Sequence, residues 1–281
     1  MARIKRLKDH GFNTDNRTYV IAEIGINHGG SIDTAKTLIN SAAKTGADAV
    51  KFQTYISEKR APKGAKEIFD ILKKHELPFK AFKELQAHSR EKNIDFFSTP
   101  FDIESLEYLE SIGCGMYKIA SFDTVNHELL RAVAKMKKTV IISVGMSSLS
   151  EVKAAYGILK SGTENTALLH CISSYPTKEE DSDLAAIYTL QDSFDCVIGQ
   201  SDHTNDITVP LYAVAAGAQI IEKHYKIDEK MECIDAPVSI TEKLMRTMID
   251  EIRRIEKIFG TEELGIREAE KGMVQFRRPS K

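Results

Sequence analysis

Short apolar runs alternate along this chain with longer stretches of helical periodicity, and the exchange repeats eight times. Tyr19 to Gly25 reads as the first strand, Ala49 to Gln53 as the second and Asp95 to Thr99 as the third. Met116 to Ser121, Thr139 to Gly145, Thr166 to Ser173, Cys196 to Asp202 and Gln219 to Tyr225 supply the other five. Between them the period changes to that of helices. Ser31 or Asp33 can cap a helix running to about Lys44, where Gly46 stops it. Helical patterns then cover about 66 to 92 with a break near Pro78, followed by 103 to 112, 126 to 136, Ser148 to Lys160, 182 to 192 and Pro210 to Ala218. Thr241 caps a last helix to about Phe259. Residues 57 to 66, with Pro62 and Gly64, read as a loop. The polar residues 1 to 18 read as a short hairpin or cap, and the charged residues 261 to 281 as a tail. The span 19 to 260 is then one unit. Eight strand–helix pairs predict an α/β fold, a (β/α)8 TIM barrel, rather than an open sheet.

Composition agrees with that size and narrows the partners. The chain has 281 residues, 42% of them hydrophobic, enough for one large core. Its 39 basic and 41 acidic residues leave a net charge of −2, which argues against nucleic acid as a partner. Cys114, Cys171, Cys196 and Cys233 form no CxxC pair, so buried thiols in a reducing compartment are expected. No apolar run approaches the roughly 18 residues that span a bilayer, and the N-terminus lacks a signal-peptide core. The expectation is a soluble cytoplasmic protein.

Polar residues gather at the C-terminal ends of the strands, where such barrels build active sites. Glu23, Gln53, Thr99, Ser121, Asp123, Ser143, Ser173 and Ser201 all fall there. So does His170 at the end of the sixth run. Strand alternation places Lys51 and Gln53 on one face, opposite Val50 and Phe52. The apolar pair belongs against the helices, so Lys51 points into the barrel. An inward ammonium needs a carboxylate or an anionic ligand. Lys51 is therefore either a structural partner of Glu23 or, with Lys118 and the strand-end hydroxyls, the floor of a phosphate or carboxylate site. The same alternation turns Glu222 and His224 together. His203 and His224 end neighbouring strands, each beside a carboxylate. Two imidazoles with an open side suit a divalent metal that keeps room for water or substrate, and two structural histidines are the alternative. Tyr175 either reaches a sugar or packs, and Asp235 either binds hydroxyls or is an ordinary loop residue. No P-loop, GxGxxG or GxSxG motif is present.

The ordered set AEIGINHGG, VKFQT, FSTPFD, YKIASFD, SVGM, LLHCISSYPT, GQSDHT and IIEKHY, over about residues 19 to 240, resembles the sialic acid synthase family. That family condenses phosphoenolpyruvate with the open-chain aldehyde of an N-acylated hexosamine. The products are phosphate and a nine-carbon 2-keto sugar acid. The resemblance implies a (β/α)8 barrel, a homodimer and a divalent metal, Mn2+ or Mg2+. By matching position, it implies that His203 and His224 hold the metal. Lys51, Thr99, Lys118, Ser121, Ser143 and Ser201 match the phosphoenolpyruvate site, with Ser173 where some members have Asn. Glu23, Gln53, Asp123, Tyr175 and Asp235 match positions near the sugar or the reacting carbons. Glu23 is the expected proton-handling or charge-stabilising residue and Glu222 the weaker candidate. Many members continue into a small C-terminal antifreeze-like domain, and Arg277 to Lys281 fall about where the linker to it is expected to begin. The rival expectations are another phosphoenolpyruvate–aldose synthase, of the 3-deoxy-octulosonate type, and a non-catalytic barrel that binds a sugar acid.

Overall fold

Every strand of this protein pairs in parallel with its sequence neighbours, and the last closes on the first: β1-β2-β3-β4-β5-β6-β7-β8 is a closed barrel. The strands are β1 (Tyr19–Gly25), β2 (Ala49–Thr54), β3 (Asp95–Pro100), β4 (Met116–Ile119), β5 (Thr139–Ser143), β6 (Thr166–Cys171), β7 (Val197–Asp202) and β8 (Ile220–His224). The computed structural model describes residues 5–14, 17–163, 165–261 and 263–279. Residues 1–4 of the expected cap and 280–281 of the expected tail lie outside these.

Local chemistry sets the helices as the sequence suggests. Ser31 caps helix Ile32–Thr45 by accepting from the Thr34 N–H at 3.2 Å, and Gly46 ends it at φ +87°. Ser148 and Glu151 form a reciprocal capping box on Leu149–Lys160. The helix-facing residues of the strands, such as Val50 and Phe52, are fully buried in one continuous apolar layer. Gly199 marks how closely β7 meets its neighbours. A Cβ there would lie 2.4 Å from the Ile220 carbonyl oxygen and 2.7 Å from Leu169 Cδ2. Gly199→Ala is expected to lower the unfolding free energy by about 1–3 kcal/mol through overpacking, read as a shifted urea midpoint.

Some local details differ from expectation. Of the hairpin and cap alternatives for the N-terminal segment, the described residues show a 3-10 turn, Leu7–His10, with Leu7 and Phe12 buried. This turn covers the N-terminal mouth: the Thr139 hydroxyl donates to the His10 carbonyl at 3.4 Å, and the Lys5 N–H donates to Gln219 Oε1 at 2.9 Å. The loop after β2 contains a short helix, Ser57–Arg60. The tail carries a 3-10 segment, Glu268–Phe276, with no buried residue. Strands β4 to β6 are also shorter than the expected runs, ending at Ile119, Ser143 and Cys171; of the residues just beyond them, Ala120 and Ser121 line the cavity. Polar groups at the N-terminal mouth pair among themselves. Asp48 accepts from the Val20 N–H at 2.8 Å, and the Tyr19 hydroxyl donates to Asp95 at 2.7 Å. Among the described residues, no helix is long and apolar enough to cross a membrane.

Candidate active site

At the C-terminal mouth the strand ends enclose a cavity of about 240 Å3. Register explains which side chains meet in it. Glu23 sits opposite Lys51 on one side and His224 on the other, and Ser201 sits opposite Glu222. All of these side chains turn inward. A register shift between Glu23 and Gly25 then bends β1 away from its partner. Gly25, at φ +54°, lets the chain pass where a Cβ would lie 3.2 Å from Glu23 Oε1 and 3.3 Å from Asp235 Oδ2.

Four buried charges form the floor. Lys51 Nζ lies 3.1 Å from Glu23 Oε1 and 3.5 Å from Glu222 Oε2, and donates to the Thr99 hydroxyl at 3.2 Å. Lys118 Nζ lies 3.5 Å from Glu222 Oε1 and donates to the Ser143 hydroxyl at 2.6 Å. Ser201 donates to Glu222 Oε1 at 2.9 Å, and Gln53 Nε2 donates to Glu23 Oε1 at 3.2 Å. The structural pairing of Lys51 with Glu23 and the anion-floor geometry are therefore present together.

The environment drives the two carboxylates apart. Burial raises the Glu23 pKa; Lys51 offsets part of this, while the Glu222 charge reinforces it. Burial also opposes ionisation of Glu222, but Lys118 and Lys51 outweigh it and hold Glu222 below the usual carboxylate range. The lysines split likewise. Burial works against the Lys51 ammonium, yet Glu222 and Glu23 raise its pKa, whereas burial wins at Lys118 and lowers it. Paired titratable groups pushed in opposite directions are a mark of acid–base machinery. Glu23 Oε2, Glu222 Oε2 and Gln53 Oε1 are also buried without hydrogen-bond partners. Each such acceptor costs about 1–3 kcal/mol.

Above this floor stand the imidazoles, with ring centroids 5.5 Å apart. His203 directs Nδ1 to the Ile172 carbonyl at 2.7 Å. His224 directs Nδ1 toward Asp235 Oδ2 at 3.4 Å. With Nδ1 so directed, Nε2 is the nitrogen that would ligate a metal, and the His203 ring also interacts with the Cys171 thiol. Among the described residues, no three His, Cys, Asp or Glu side chains form a ready-made metal cluster. The donor set fits a divalent ion held by two imidazoles, with the remaining positions open to water and substrate oxygens. Tyr175 packs its ring 4.1 Å from that of His203 and lines the cavity. Asp235 lines it too, its N–H donating to Asn27 Oδ1 at 3.0 Å.

Of the expected site residues, Glu23, Lys51, Gln53, Thr99, Lys118, Ser121, Ser143, Tyr175, Ser201, His203, Glu222, His224 and Asp235 all line this one cavity. Asp123 and Ser173 lie outside its wall. Asp123 accepts from Asn126 Nδ2 at 2.9 Å, and the Ser173 hydroxyl lies 3.8 Å from Cys171 Sγ. His170 faces the helices, with Nε2 2.7 Å from the Ser182 carbonyl. Asp202 likewise turns outward, to Lys223 Nζ at 2.5 Å, in a fully buried pair that ties β7 to β8. Two wall residues with an ionisable side chain escaped the sequence reading. Cys171 shares strand parity with Ser173 yet reads as an ordinary buried thiol. Arg60 falls in a stretch read as loop.

Comparison with known proteins adds three findings. Residues 38–264 match the model of the NeuB family. The N,N'-diacetyllegionaminic acid synthase of Campylobacter jejuni is 39% identical over 271 residues, covering 91% of this chain and 80% of that protein. The pseudaminic acid synthase of the same species is 34% identical, over 92% of this chain and 79% of its own length. Among solved structures, the N-acetylneuraminic acid synthetase of Leptospira borgpetersenii, in complex with citrate, superposes with a TM-score of 0.91 at 42% identity. That match covers 93% of this chain and 92% of the other.

Proposed function

Because the chain belongs to the NeuB family, we propose that it is a phosphoenolpyruvate-dependent synthase that joins phosphoenolpyruvate to an N-acylated hexosamine, yielding a nine-carbon 2-keto sugar acid and phosphate. The observation that carries this reading is the quartet Glu23, Lys51, Glu222 and Lys118 lying directly beneath His203 and His224.

The lysines, with Thr99, Ser121, Ser143 and Ser201, hold the carboxylate and phosphate of the enol ester. Two ammoniums facing two carboxylates form a neutral floor, so a multiply charged anion binds best when Glu23 carries a proton. Its raised pKa favours that state. Gln53, Tyr175 and Asp235 orient the aldose so that its aldehyde carbon faces carbon 3 of the enol ester. His203 and His224 would hold a divalent ion, which would supply Lewis-acid polarisation of a carbonyl oxygen. As carbon 3 bonds to the aldehyde carbon, positive charge develops at carbon 2, and ionised Glu222 stabilises it. Glu23 passes its proton to the aldehyde oxygen as that oxygen becomes the new hydroxyl, and then takes up the proton that water gives up on adding at carbon 2; the hydroxyl proton of the adduct leaves with phosphate. The tetrahedral adduct expels phosphate, leaving the ketone. Every bond made or broken is thus matched without a further reactant.

The test is phosphate release from phosphoenolpyruvate with N-acetylmannosamine, its 6-phosphate or 2,4-diacetamido hexoses. Release is expected only with both an N-acyl hexosamine and a divalent ion. Chelation should abolish it and Mn2+ restore it. In calorimetric Mn2+ titrations, His203→Ala and His224→Ala should each weaken binding by more than about 10-fold, since loss of an outer partner alone costs 10–100-fold. Absence of turnover with every sugar at saturating Mn2+ would favour a non-catalytic barrel.

A further inference from the structure

The cavity wall includes one cation that has no counterpart in the floor. Arg60 lines the cavity, and its guanidinium makes no hydrogen bond or ion pair to any described residue. Nη1 is buried and unpartnered. Its carbon Cζ instead sits 3.8 Å from the centre of the Phe101 ring and 4.6 Å from that of Tyr55. Those rings are themselves fixed edge to face, 6.4 Å apart, and pack with Ile26, Leu72 and Ala61 in a small apolar cluster separate from the main core.

This arginine is not a loose surface side chain. The Tyr55 hydroxyl donates to the Leu72 carbonyl at 2.9 Å. The Ile56 N–H donates to Asp102 Oδ2 at 3.0 Å, and the Ser57 N–H to Glu76 Oε2 at 3.1 Å. The short helix that carries Arg60 is therefore held at its start, and two aromatic faces hold the planar group at its end. A guanidinium fixed this firmly, partly desolvated and left without an acceptor, is built for an acceptor that arrives with a ligand.

Charge decides which acceptor. Lys51 and Lys118 already serve the enol ester at the bottom of the cavity. The carboxylates whose fields reach Arg60 are Asp235 on the wall, Glu23 in the floor and Asp123 just outside the wall. A dianionic sugar phosphate at this place would meet more negative charge than positive. A neutral carbonyl oxygen would not. Ile26 and Phe101, of the cluster beside Arg60, line the cavity and offer apolar surface to an alkyl group, and Phe122 lines the same cavity. An amide carbonyl with a short alkyl substituent satisfies both demands.

Accepting the reaction proposed above, we infer that Arg60 recognises the N-acyl group of the aldose, donating from its guanidinium to the amide oxygen while the neighbouring apolar wall takes the acyl chain. Arg60 thereby sets the preference for acylated over unmodified aldoses.

The test compares N-acetylmannosamine with mannose in the full chain with Mn2+, for the wild type, Arg60→Met and Arg60→Lys. Methionine fills the slot between the rings without donors, and melting curves check that each variant folds. Arg60→Met should raise KM for N-acetylmannosamine by roughly 10- to 100-fold, the range for one hydrogen bond to a charged donor. KM for phosphoenolpyruvate should stay within about 2-fold of wild type, because its partners are untouched. The preference for the acylated sugar should collapse, with partial recovery in Arg60→Lys. An unchanged preference in Arg60→Met would overturn the assignment. So would a selective loss with the 6-phosphate, which would make Arg60 a phosphate ligand. Sugar-induced shifts in melting temperature give a readout that needs no turnover. Equal shifts with N-acetylmannosamine in wild type and Arg60→Met would refute the role even if the wild type proved inactive on phosphoenolpyruvate, the separate result that strikes the proposed reaction.

Discussion

Glu23→Gln is expected to cut kcat by about 10²- to 10⁴-fold, the usual contribution of a positioned acid–base group. Gln keeps the shape and can still accept from Lys51 and Gln53, which hold Oε1 in the wild type. It cannot take a proton at the place where Oε2 now stands buried and unpartnered. The pH profile of kcat/KM should lose one limb in this variant, which separates lost proton transfer from lost packing. Stability should move the other way. A carboxyl whose pKa is raised on folding contributes stability below its ordinary value of 4.5, and that stability is lost as pH climbs through the raised value. Gln carries no such titration. The melting temperature of the wild type should therefore fall relative to the variant as pH rises across that window. A variant with near-normal kcat would remove Glu23 from the chemistry.

Lys118→Met should raise KM for phosphoenolpyruvate by roughly 30- to 5,000-fold, since removing one member of a buried charge pair costs about 2–5 kcal/mol. Lys118 is almost wholly enclosed and reaches Ser143 and Glu222, both on the cavity wall. Methionine fills much the same volume, so the barrel should persist. KM for the sugar should change little, because Lys118 donates to the Ile119 carbonyl and the Ser143 hydroxyl and not to Gln53, Tyr175 or Asp235. The measurement is steady-state kinetics with each substrate varied in turn. Parallel loss of affinity for both substrates would mean that the floor had collapsed as a whole.

The floor was legible in the sequence because a strand has a period of two. Once Val50 and Phe52 were assigned to the helices, Lys51 had nowhere to point but inward, and the same parity carried Glu222 and His224. The ladder then fixes Glu23 opposite Lys51, a pairing that follows from parallel register and no longer-range guess. Parity fails where the ladder ends. Asp123 lies in the 3-10 segment Ser121–Asp123 and Ser173 lies beyond β6, so the two-residue period no longer says which way they face. Arg60 was invisible for a related reason. Its orientation depends on Phe101 and Asp102, some forty residues further along the chain, and no local pattern links the two segments. The aromatic residues just after β2 and β3 were the available signal. His170 misled because a polar residue at a strand end can equally cap a gap among the helices, as its contact with Ser182 does.

The proposed bond-making groups and the proposed sugar-sensing arginine rest on different foundations. Lys51, Glu222 and the two imidazoles belong to or adjoin strands locked on both sides, with Lys223 and Asp202 clamping the seam between β7 and β8. Arg60 rides on a four-residue helix anchored through its own connecting segment and Asp102. Transplanting residues 55 to 78 together with Phe101 and Asp102 from one relative to another would exchange the menu of accepted sugars and leave the hearth where the carbon–carbon bond is forged undisturbed.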